Sequence, residues 1–362
     1  MNNPYTYARI DLKGLVRNLT SIKKSIRKGT AVMAVVKSDA YGHGIVAVST
    51  ALERAGVDGF GVAFIQEGVV LRQAGISSPI YVLSGFQPGE EDMLIDHNLV
   101  PLVYSAGQVE LLDRESRKRN VRRNIHLKID TGMGRLGFLY DDMAALNRVL
   151  EKTKNLNITG VATHISDAHD SAYFTKVQIK RFQKVQGFLE SRLSRRLISH
   201  AANTDTFFNY PESCFDMVRA GISLYGYGRK GLTPVMHVFS KLISVKALKK
   251  GYAISYGRTY RLKKDTVVGV LPVGYADGYS RMLSNTGFVG IKGKKVYVVG
   301  RVTMNHTMID MKGIHARVGD KVLIIGKDGS MYIGADQIAS LASTISYELL
   351  CSMGSSLKRI YE

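Results

Sequence analysis

A lysine at the end of an apolar run is the first residue of this chain that suggests chemistry. Residues 33–44 read MAVVKSDAYGHG, and the apolar run that begins at Ala31 stops before Lys37. Partial burial beside other cations would lower the pKa of this amine from about 10.4 and free it as a nucleophile that condenses with an aldehyde. The spacing alone favours a simpler interpretation, a strand-end lysine whose side chain reaches solvent.

Polar residues stand directly after other apolar runs as well. Such positions are occupied by residues 128–137 (KIDTGMGRLG), His164, residues 200–205 (HAANTD) and Arg219, which adjoins AGISLYG at residues 220–226. Each of them alone is more simply a structural residue. Backbone N–H groups of the glycine-bearing AGIS segment could cradle a phosphate, however, and the aldehyde that also carries a phosphate is pyridoxal 5'-phosphate (PLP).

Short apolar runs recur through the first two-thirds of the chain and would position these residues. They are Val32–Val36, Gly59–Phe64, Ile80–Leu83, Leu99–Val103, Ile125–Ile129, Ile158–Thr163, Leu197–Ser199 and Met217–Leu224. Most are separated by stretches of helical period, such as residues 45–56 and 175–193. Strands that alternate with helices predict a parallel sheet, and this number of units predicts a (β/α)8 barrel of the TIM type, whose active-site residues lie at the C-terminal strand ends.

The pattern changes after about Met236. Helical periods give way to short alternating runs punctuated by glycine, which are typical of β-strands, and one short helix is predicted at Ala335–Leu341. We therefore expect an α/β fold with two domains. The barrel would span residues 1–235, with roughly the first ten residues as candidates to join the other domain. A C-terminal, mainly β domain would span residues 236–362.

The charge of the chain is strongly basic. A net charge of +20, from 50 Lys and Arg against 30 Asp and Glu, is compatible with a nucleic-acid partner. The basic runs at residues 116–124 and 191–196 alternate with apolar residues and carry no interleaved aromatic residues, which favours solvated helix faces or loops. We expect no nucleic-acid partner, and a basic nucleic-acid-binding protein stays as the alternative from a different class.

The chain shows no signal for a membrane or for secretion. No apolar stretch reaches the roughly 18 residues of a membrane-spanning helix, and the first residues lack the basic-then-apolar order of a signal peptide. We therefore expect a cytoplasmic protein without a membrane partner. Its two cysteines, Cys214 and Cys351, fit that compartment and are too few for a disulfide framework or a zinc site, so no metal is expected.

Several long segments resemble, in order, those of the alanine racemase family, PLP enzymes of fold type III. They read AVVKSDAYGHG, KIDTGMGRLGF, HAANTDTF, MVRAGISLYG, SYGRTY, LPVGYADGYSR and VGRVTMNHTMID. The resemblance spans nearly the whole chain, and so many ordered motifs do not arise by chance. It implies PLP-dependent interconversion of L-alanine and D-alanine, which would supply D-alanine for cell-wall peptidoglycan.

The resemblance implies two catalytic bases on opposite faces of the substrate. Lys37 resembles the lysine that binds PLP as a Schiff base and also acts as one base. Tyr256 resembles the second base, which the other chain of a homodimer would contribute. Arg219 resembles the group that bonds the pyridine nitrogen, and His164 the residue that orients Arg219.

The resemblance also implies ligands for the cofactor and the substrate. The implied phosphate ligands are Tyr41, Thr204, Gly221 and Ile222. Arg135 resembles the residue that touches the cofactor phenolate and the substrate carboxylate.

Three more residues gain a role from the resemblance. Met304 and Tyr275 resemble residues that reach the partner's site, one at the substrate and one at the entrance. Lys128 resembles a lysine that is often carbamylated in this family and would then pair with Arg135.

Departures from the family pattern concern substrate specificity. Counting from Cys351, Ser355 stands where a phosphate-binding tyrosine is common; residues 303–305 read TMN where CMD is often found; and Thr204 replaces a serine. We expect a gap near the pocket and one negative group fewer at its entrance. Alanine would then be the main substrate with relaxed specificity, and a racemase that prefers serine, lysine or a broad range of amino acids is the alternative.

Two other PLP proteins share such a barrel. An amino-acid decarboxylase is less well matched by residues 37–44 and by SYGRTY at residues 255–260. A PLP carrier without catalytic activity would resemble the barrel alone, so the C-terminal domain speaks against it.

Overall fold

The first two-thirds of the chain form a parallel β-barrel. The computed structural model describes residues 3–362. The first strand, β1 (Tyr7–Ile10), belongs to the C-terminal sheet and is followed by the barrel strands. They are β2 (Ala31–Val35), β3 (Gly59–Val62), β4 (Ile80–Val82), β5 (Val100–Val103), β6 (Arg123–Asp130), the short β7 (Phe138–Leu139) beside β6, β8 (Leu156–Ala162), β9 (Ile198–His200) and β10 (Met217–Ala220).

The barrel is closed almost completely by backbone hydrogen bonds. Its strands pair in parallel in the order β10-β2-β3-β4-β5-β6-β8-β9. The two ends of this order meet where the Asp216 N–H donates to the Ser199 carbonyl (3.1 Å) and the Arg219 N–H donates to the Ala202 carbonyl (2.9 Å). The predicted (β/α)8 barrel is thereby confirmed.

Helices cover the outside of the barrel or follow the strand ends. They are α1 (Leu12–Ser25), α2 (Lys37–Tyr41), α3 (Ile45–Arg54), α4 (Ile65–Gln73), α5 (Glu91–Asp96), α6 (Ala106–Lys118), α7 (Met143–Lys152), α8 (Ala172–Leu193) and α9 (Thr204–Asn209). Because helices cover one face and side chains fill the other, strands such as β3 and β10 are buried along their whole length. The apolar run predicted to extend to Leu224 leaves the strand at Ala220 and turns, which puts Gly221 at the barrel mouth.

The C-terminal part is mainly β, as predicted. Its strands are β11 (Met236–Lys241), β12 (Ser244–Leu248), β13 (Ala253–Ile254), β14 (Tyr260–Arg261), β15 (Thr266–Leu271), β16 (Phe288–Ile291), β17 (Lys294–Tyr297), β18 (Thr307–Asp310), β19 (Lys321–Asp328), β20 (Met331–Ile333) and β21 (Lys358–Tyr361). One sheet has the order β17-β16-β19-β11-β1-β21, with β20 beside β19; a second has the order β12-β15-β18. Strand β1 pairs antiparallel with β11 and parallel with β21.

Two helices lie within this C-terminal part. The predicted helix is α10 (Ala335–Leu341), and a second helix, α11 (Ser346–Ser356), was not predicted. Its sequence SYELLCSMGSS contains glycine and several serines, which are weak helix formers, so packing rather than propensity holds it. Among residues 3–362, no helix combines the length and the apolar character needed to cross a membrane.

Candidate active site

A cavity of about 600 Å³ opens at the C-terminal ends of the barrel strands. Its volume falls in the range of small-molecule sites. The predicted site residues that line it are Lys37, Tyr41, Lys128, Arg135, His164, Thr204, Arg219, Gly221 and Ile222. Residues that are far apart in the sequence therefore converge at one mouth, because parallel strands all end on the same side of the barrel.

Lys37 opens an unusual turn. The four residues after it, 38–41, have φ between 53° and 55°, so they form a left-handed turn without glycine. A left-handed conformation costs roughly 1–2 kcal/mol for each L-residue, so the turn persists only where surrounding contacts hold it. The turn aims the side chains of Lys37 and Tyr41 into the same cavity.

Several hydrogen bonds hold the turn. The Glu67 carboxylate accepts the backbone N–H of Ser38 (2.6 Å), and its other oxygen accepts that of Ala63 (2.8 Å). Nδ1 of His43 lies 3.0 Å from the carbonyl oxygens of both Ala40 and Tyr41, so it carries a proton and donates to them. This fully buried ring also stacks on Tyr225, whose ring centroid is 4.4 Å away.

The Lys37 amine is electrostatically activated. Burial is the main cause that lowers its pKa, and the positive charges of Arg135 and Arg219 lower it further. The negative charge of Glu67 acts in the opposite direction but does not cancel them. A larger fraction of Lys37 is therefore neutral near pH 7 than for a solvated lysine, as a nucleophilic amine requires.

An anion cradle lies on the wall next to Lys37. In the described part of the chain, the backbone N–H groups of Gly221 and Ile222 have no hydrogen-bond partner. A Cβ on Gly221 would stand 2.8 Å from the Tyr41 hydroxyl oxygen, so only glycine leaves this space open. Burial raises the pKa of Tyr41, which keeps its hydroxyl protonated and able to donate. Thr204 adds a hydroxyl, 3.0 Å from that of Ser223.

Arg219 stands on the fully buried strand β10 and is held on nearly all sides. Nη1 donates to the carbonyl (2.9 Å) and Nδ1 (3.0 Å) of His200. Nη2 donates to the carbonyls of Thr163 (2.8 Å) and Ala201 (2.9 Å) and to Nδ1 of His164 (3.1 Å). Burial lowers the pKa of Arg219 to about 10, so it stays charged at neutral pH. Among the described residues its Nε–H alone has no acceptor and is free for a ligand.

Behind Arg219 lies a chain of buried histidines. Arginine can only donate, so Nδ1 of His200 accepts from it and a neutral His200 carries its proton on Nε2. Nε2 then donates to Nδ1 of His126, 2.8 Å away. Burial lowers the pKa of His200 well below its usual value and that of His126 to about 3, so both rings are neutral. His126 was missed in the sequence, although it shares the inward face of β6 with Lys128, two residues later.

Lys128 and Arg135 occupy the opposite wall. Burial, followed by the charges of Arg219 and Arg135, lowers the pKa of the buried Lys128 well below its usual value. Arg135 is exposed at the mouth on a loop that Asp130 holds. The Asp130 carboxylate accepts the backbone N–H groups of residues 132–135 at 2.8 to 3.2 Å. Burial acts to raise the pKa of Asp130, but these hydrogen bonds together lower it.

The other predicted site residues lie elsewhere. Tyr256, Tyr275 and Met304 do not line the barrel cavity but share a surface cleft on the C-terminal domain. They are 73%, 44% and 55% exposed, respectively. The Tyr275 N–H donates to the Thr303 carbonyl (3.1 Å), and the Ala276 N–H to the Met304 carbonyl (3.0 Å), which fixes the two segments together. The twelve predicted residues thus form two groups, nine at the barrel mouth and three in this cleft.

Comparison with known proteins decides the family. Residues 10–229 match the N-terminal domain of alanine racemase, and residues 235–361 match its C-terminal domain. The chain belongs to the alanine racemase family. An alanine racemase of Thermodesulfovibrio yellowstonii is 43% identical over 361 residues, which cover 99% of this chain and 98% of that one.

Solved alanine racemases share the fold along the whole chain. That of Clostridium difficile 630 has a TM-score of 0.91 at 32% identity and covers 100% of this chain and 97% of its own. That of Bartonella henselae, solved with covalently bound pyridoxal phosphate, has a TM-score of 0.89 at 27% identity. The match covers 99% of this chain and 100% of the Bartonella chain. The resemblance noted in the sequence is confirmed, and with it a PLP-dependent family.

The barrel cavity fits PLP in three respects. Lys37 offers a weakly basic amine to an aldehyde, and the open space over Gly221 with its unpaired N–H groups offers a seat for a phosphate. Arg219 offers one unpaired donor to a ring nitrogen. All three groups line the same cavity.

Ser355, where a tyrosine is common in the family, does not reach the cavity. Ser355 is exposed, its hydroxyl donates to the Ser352 carbonyl (3.1 Å), and it does not line the cavity. Tyr347 lines it instead, with its ring centroid 5.7 Å from that of Tyr41. On helix α11, Tyr347 and Cys351 are four residues apart and share the face toward the mouth, while Ser355 lies one turn further, past the rim. Tyr347 is therefore an aromatic side chain at the cavity that the sequence did not single out.

Proposed function

We propose that this chain is an alanine racemase that uses Lys37 and Tyr256 of the partner subunit as two opposed bases. One observation carries the proposal: the Lys37 amine, the phosphate cradle and the free Arg219 donor meet in one cavity of a chain from this family. In its cavity, PLP would be held by Lys37 at the aldehyde carbon and by Arg219 at the pyridine nitrogen. The phosphate would be held by Tyr41, Thr204 and the N–H groups of Gly221 and Ile222, with Tyr347 as a further candidate donor.

PLP, when bound, withdraws electrons from the substrate α-carbon and so stabilises the carbanion left when the α-proton is removed. Arg219 limits that withdrawal. Its pKa of about 10 keeps it a donor near pH 7, so it does not give its proton to the ring nitrogen. His164 and His200 fix the guanidinium in place through the hydrogen bonds to Nη2 and Nη1. A weak electron sink should disfavour side reactions such as transamination.

Racemisation removes a proton from one face of the α-carbon and returns one to the other face. Lys37 would take or give the proton on one face, and Tyr256 of the partner subunit on the other. Each base must carry a proton in one direction and lack it in the other, so a lowered Lys37 pKa favours this exchange near neutral pH. Arg135 at the mouth would hold the substrate carboxylate.

A homodimer would bring the two groups of residues together. Tyr256, Tyr275 and Met304 are large, exposed side chains clustered in one cleft, as at an interaction surface. In a two-fold symmetric dimer each chain would present this cleft to the barrel mouth of the other, which gives two equivalent shared sites. Met304 and Tyr275 of the partner subunit would then touch the substrate and line the entrance.

Lys128 is proposed to be carbamylated. Its neutral amine can add to carbon dioxide with loss of one proton, which forms a carbamate with one negative charge. The buried amine has no hydrogen-bond or ion-pair partner among residues 3–362, and its surroundings are rich in positive charge. The carbamate would pair with Arg135 and orient it toward the substrate. Intact-protein mass spectrometry with and without bicarbonate would test this modification.

Alanine is the proposed main substrate. One reason to expect relaxed specificity was a gap left by Ser355, and Tyr347 in the cavity wall speaks against a large gap there. The other, Asn305 in place of an aspartate, lies in the exposed cleft. Initial rates on L-alanine, L-serine and L-lysine would decide, and faster turnover of serine or lysine would contradict the proposal. A peptidoglycan role for the D-alanine and a cytoplasmic location stay predictions.

A direct test of the function uses the purified protein with PLP. We expect an absorbance band near the violet edge of the visible spectrum that borohydride abolishes, a reduced PLP adduct on Lys37 in a peptide map, and conversion of L-alanine to D-alanine. A protein that stays colourless with PLP and carries no adduct after reduction would overturn the proposal.

A further inference from the structure

The left-handed turn at residues 38–41 needs support from outside itself, and the far end of the chain supplies some. Arg359, on β21, forms an ion pair through Nη1 with the Asp39 carboxylate. The same Nη1 lies 3.3 Å from the Gly42 carbonyl oxygen, to which it donates. The other Asp39 oxygen accepts the backbone N–H of Ile45 (2.7 Å). One guanidinium thus bonds the middle of the turn and its last carbonyl.

Helix α11 presses on the same turn. A Cβ on Gly42 would stand 2.5 Å from the Leu350 carbonyl oxygen, and a Cβ on Gly354 would overlap the Gly42 carbonyl. The two backbones are therefore in contact at a pair of glycines. This helix also carries Tyr347 and Cys351 into the cavity, so the turn and one cavity wall share a support.

Backbone hydrogen bonds with β1 and the residues that follow it fix the strand that carries Arg359. Strand β21 pairs in parallel with β1 along its whole length. Beyond it, the Glu362 N–H donates to the Ile10 carbonyl (3.0 Å), and the Leu12 N–H donates to the Glu362 carbonyl (2.9 Å). The side chains of Arg359 and Asp39 are 25% and 40% exposed, so their ion pair is partly shielded from solvent.

We propose that Arg359 is a positioning residue that braces the left-handed turn and thereby keeps Lys37 and Tyr41 aimed at the cofactor. The inference rests on the proposed roles of Lys37 and Tyr41. It predicts that removal of Arg359 loosens cofactor binding out of proportion to any loss of overall stability, because the strained turn relaxes while the barrel strands stay in place.

The test measures the rate at which bound PLP is lost from the full-length holoenzyme during dialysis, followed by its absorbance band. Arg359→Ala is compared with Arg9→Ala. Arg9 lies on the adjacent strand β1 and also forms an ion pair, with Glu362 at 3.6 Å, but it contacts no residue of the turn by a hydrogen bond. Thermal midpoints of all variants are recorded in parallel.

We expect Arg359→Ala to lose PLP at least about tenfold faster than the unaltered protein, Arg359→Lys to fall in between, and Arg9→Ala to stay within about twofold. Release from Arg359→Ala at the original rate, or equally fast release from Arg9→Ala, would overturn the inference. Should Arg359→Ala not fold, faster release from Arg359→Lys than from Arg9→Lys supports it, and equal release overturns it. An unaltered protein that binds no PLP would instead defeat the proposed function.

Discussion

The barrel cavity and the C-terminal cleft differ in how they hold their functional side chains. In the cavity, Arg219 is buried, and both of its Nη atoms donate hydrogen bonds to protein acceptors. Lys37 lies at the start of a turn that is held by residues distant in the sequence. In the cleft, Tyr256 and Met304 stand exposed, and only the backbone beneath them is fixed. One region is organised for a ligand within its own chain; the other presents exposed side chains, as the proposed homodimer requires.

The difference also concerns charge. The cavity gathers Lys37, Lys128, Arg135 and Arg219, whose mutual repulsion and burial lower the pKa values of the lysines. Lys37 is therefore activated inside its own chain. Tyr256 lies in the exposed cleft, and in the proposed homodimer it would face the cations of the partner's cavity. Proton transfer would then depend on assembly.

The largest effect is expected at Lys37. Lys37→Ala removes both the cofactor attachment and one base, so alanine racemisation should fall by roughly 10⁴-fold or more. A coupled assay for D-alanine measures it, with Lys24→Ala on the exposed side of α1 as control. Substantial activity in Lys37→Ala, with unchanged activity in the control, would remove Lys37 from the mechanism.

A smaller loss is expected at Tyr256. Tyr256→Phe keeps the ring but deletes the proton-carrying hydroxyl, so turnover should fall by about 10²- to 10³-fold while PLP stays bound. Rates in both directions are measured beside Tyr297→Phe, an exposed tyrosine on β17. If Tyr256→Phe turns over L-alanine and D-alanine as fast as the unaltered protein, Tyr256 is not a base, and the cleft has no catalytic role.

Mixing the two inactive variants tests whether the regions meet across chains. When Lys37→Ala and Tyr256→Phe chains are unfolded and refolded together, a mixed dimer has one site with both bases. Random pairing should restore about one quarter of the original activity per site. Chains that complete their own sites would give no recovery, so an inactive mixture that nonetheless contains mixed dimers contradicts the shared site.

The sequence alone predicted those elements whose local residue pattern agrees with their environment in the folded protein. The barrel strands were readable because both of their faces are buried, which makes them continuous apolar runs. The strand-end positions then followed from topology, and they contain eight of the nine predicted residues that line the cavity; Tyr41 was added by the family resemblance. Strand β10 marks the limit: its run continues to Leu224, but the chain turns at Gly221 because the barrel wall ends there.

The rest could not be predicted because it depends on long-range contacts. In Ser-Asp-Ala-Tyr only Asp tolerates a left-handed conformation well, so the turn depends on Glu67 and Arg359, which are distant in the sequence. Helix α11 has weak propensity and is held by packing, so nothing in the sequence indicated that Tyr347 would line the cavity. Contacts between residues that are distant in the sequence leave no pattern within the short segments that they hold.

The smallest effect concerns the buried histidine that holds the left-handed turn. Burial lowers the pKa of His43 from 6.5 to about 4 in the folded protein. Above pH 6.5 both states are neutral and His43 contributes its full stability. As the pH falls from 6.5 to 4, only the unfolded chain takes up this proton, so the free energy of unfolding should drop by about 1.4 kcal/mol per pH unit for each such histidine.

Urea unfolding between pH 7 and pH 5 measures that slope. His43→Gln removes one titrating group, so its stability should depend less steeply on pH by about one proton, whatever its stability at pH 7. His169→Gln, whose ring is exposed, is the control and should keep the original slope. An unchanged slope in His43→Gln would mean that His43 takes up its proton as readily in the folded protein as in the unfolded chain. The hydrogen bonds from Nδ1 to Ala40 and Tyr41 would then hold the turn with a charged ring.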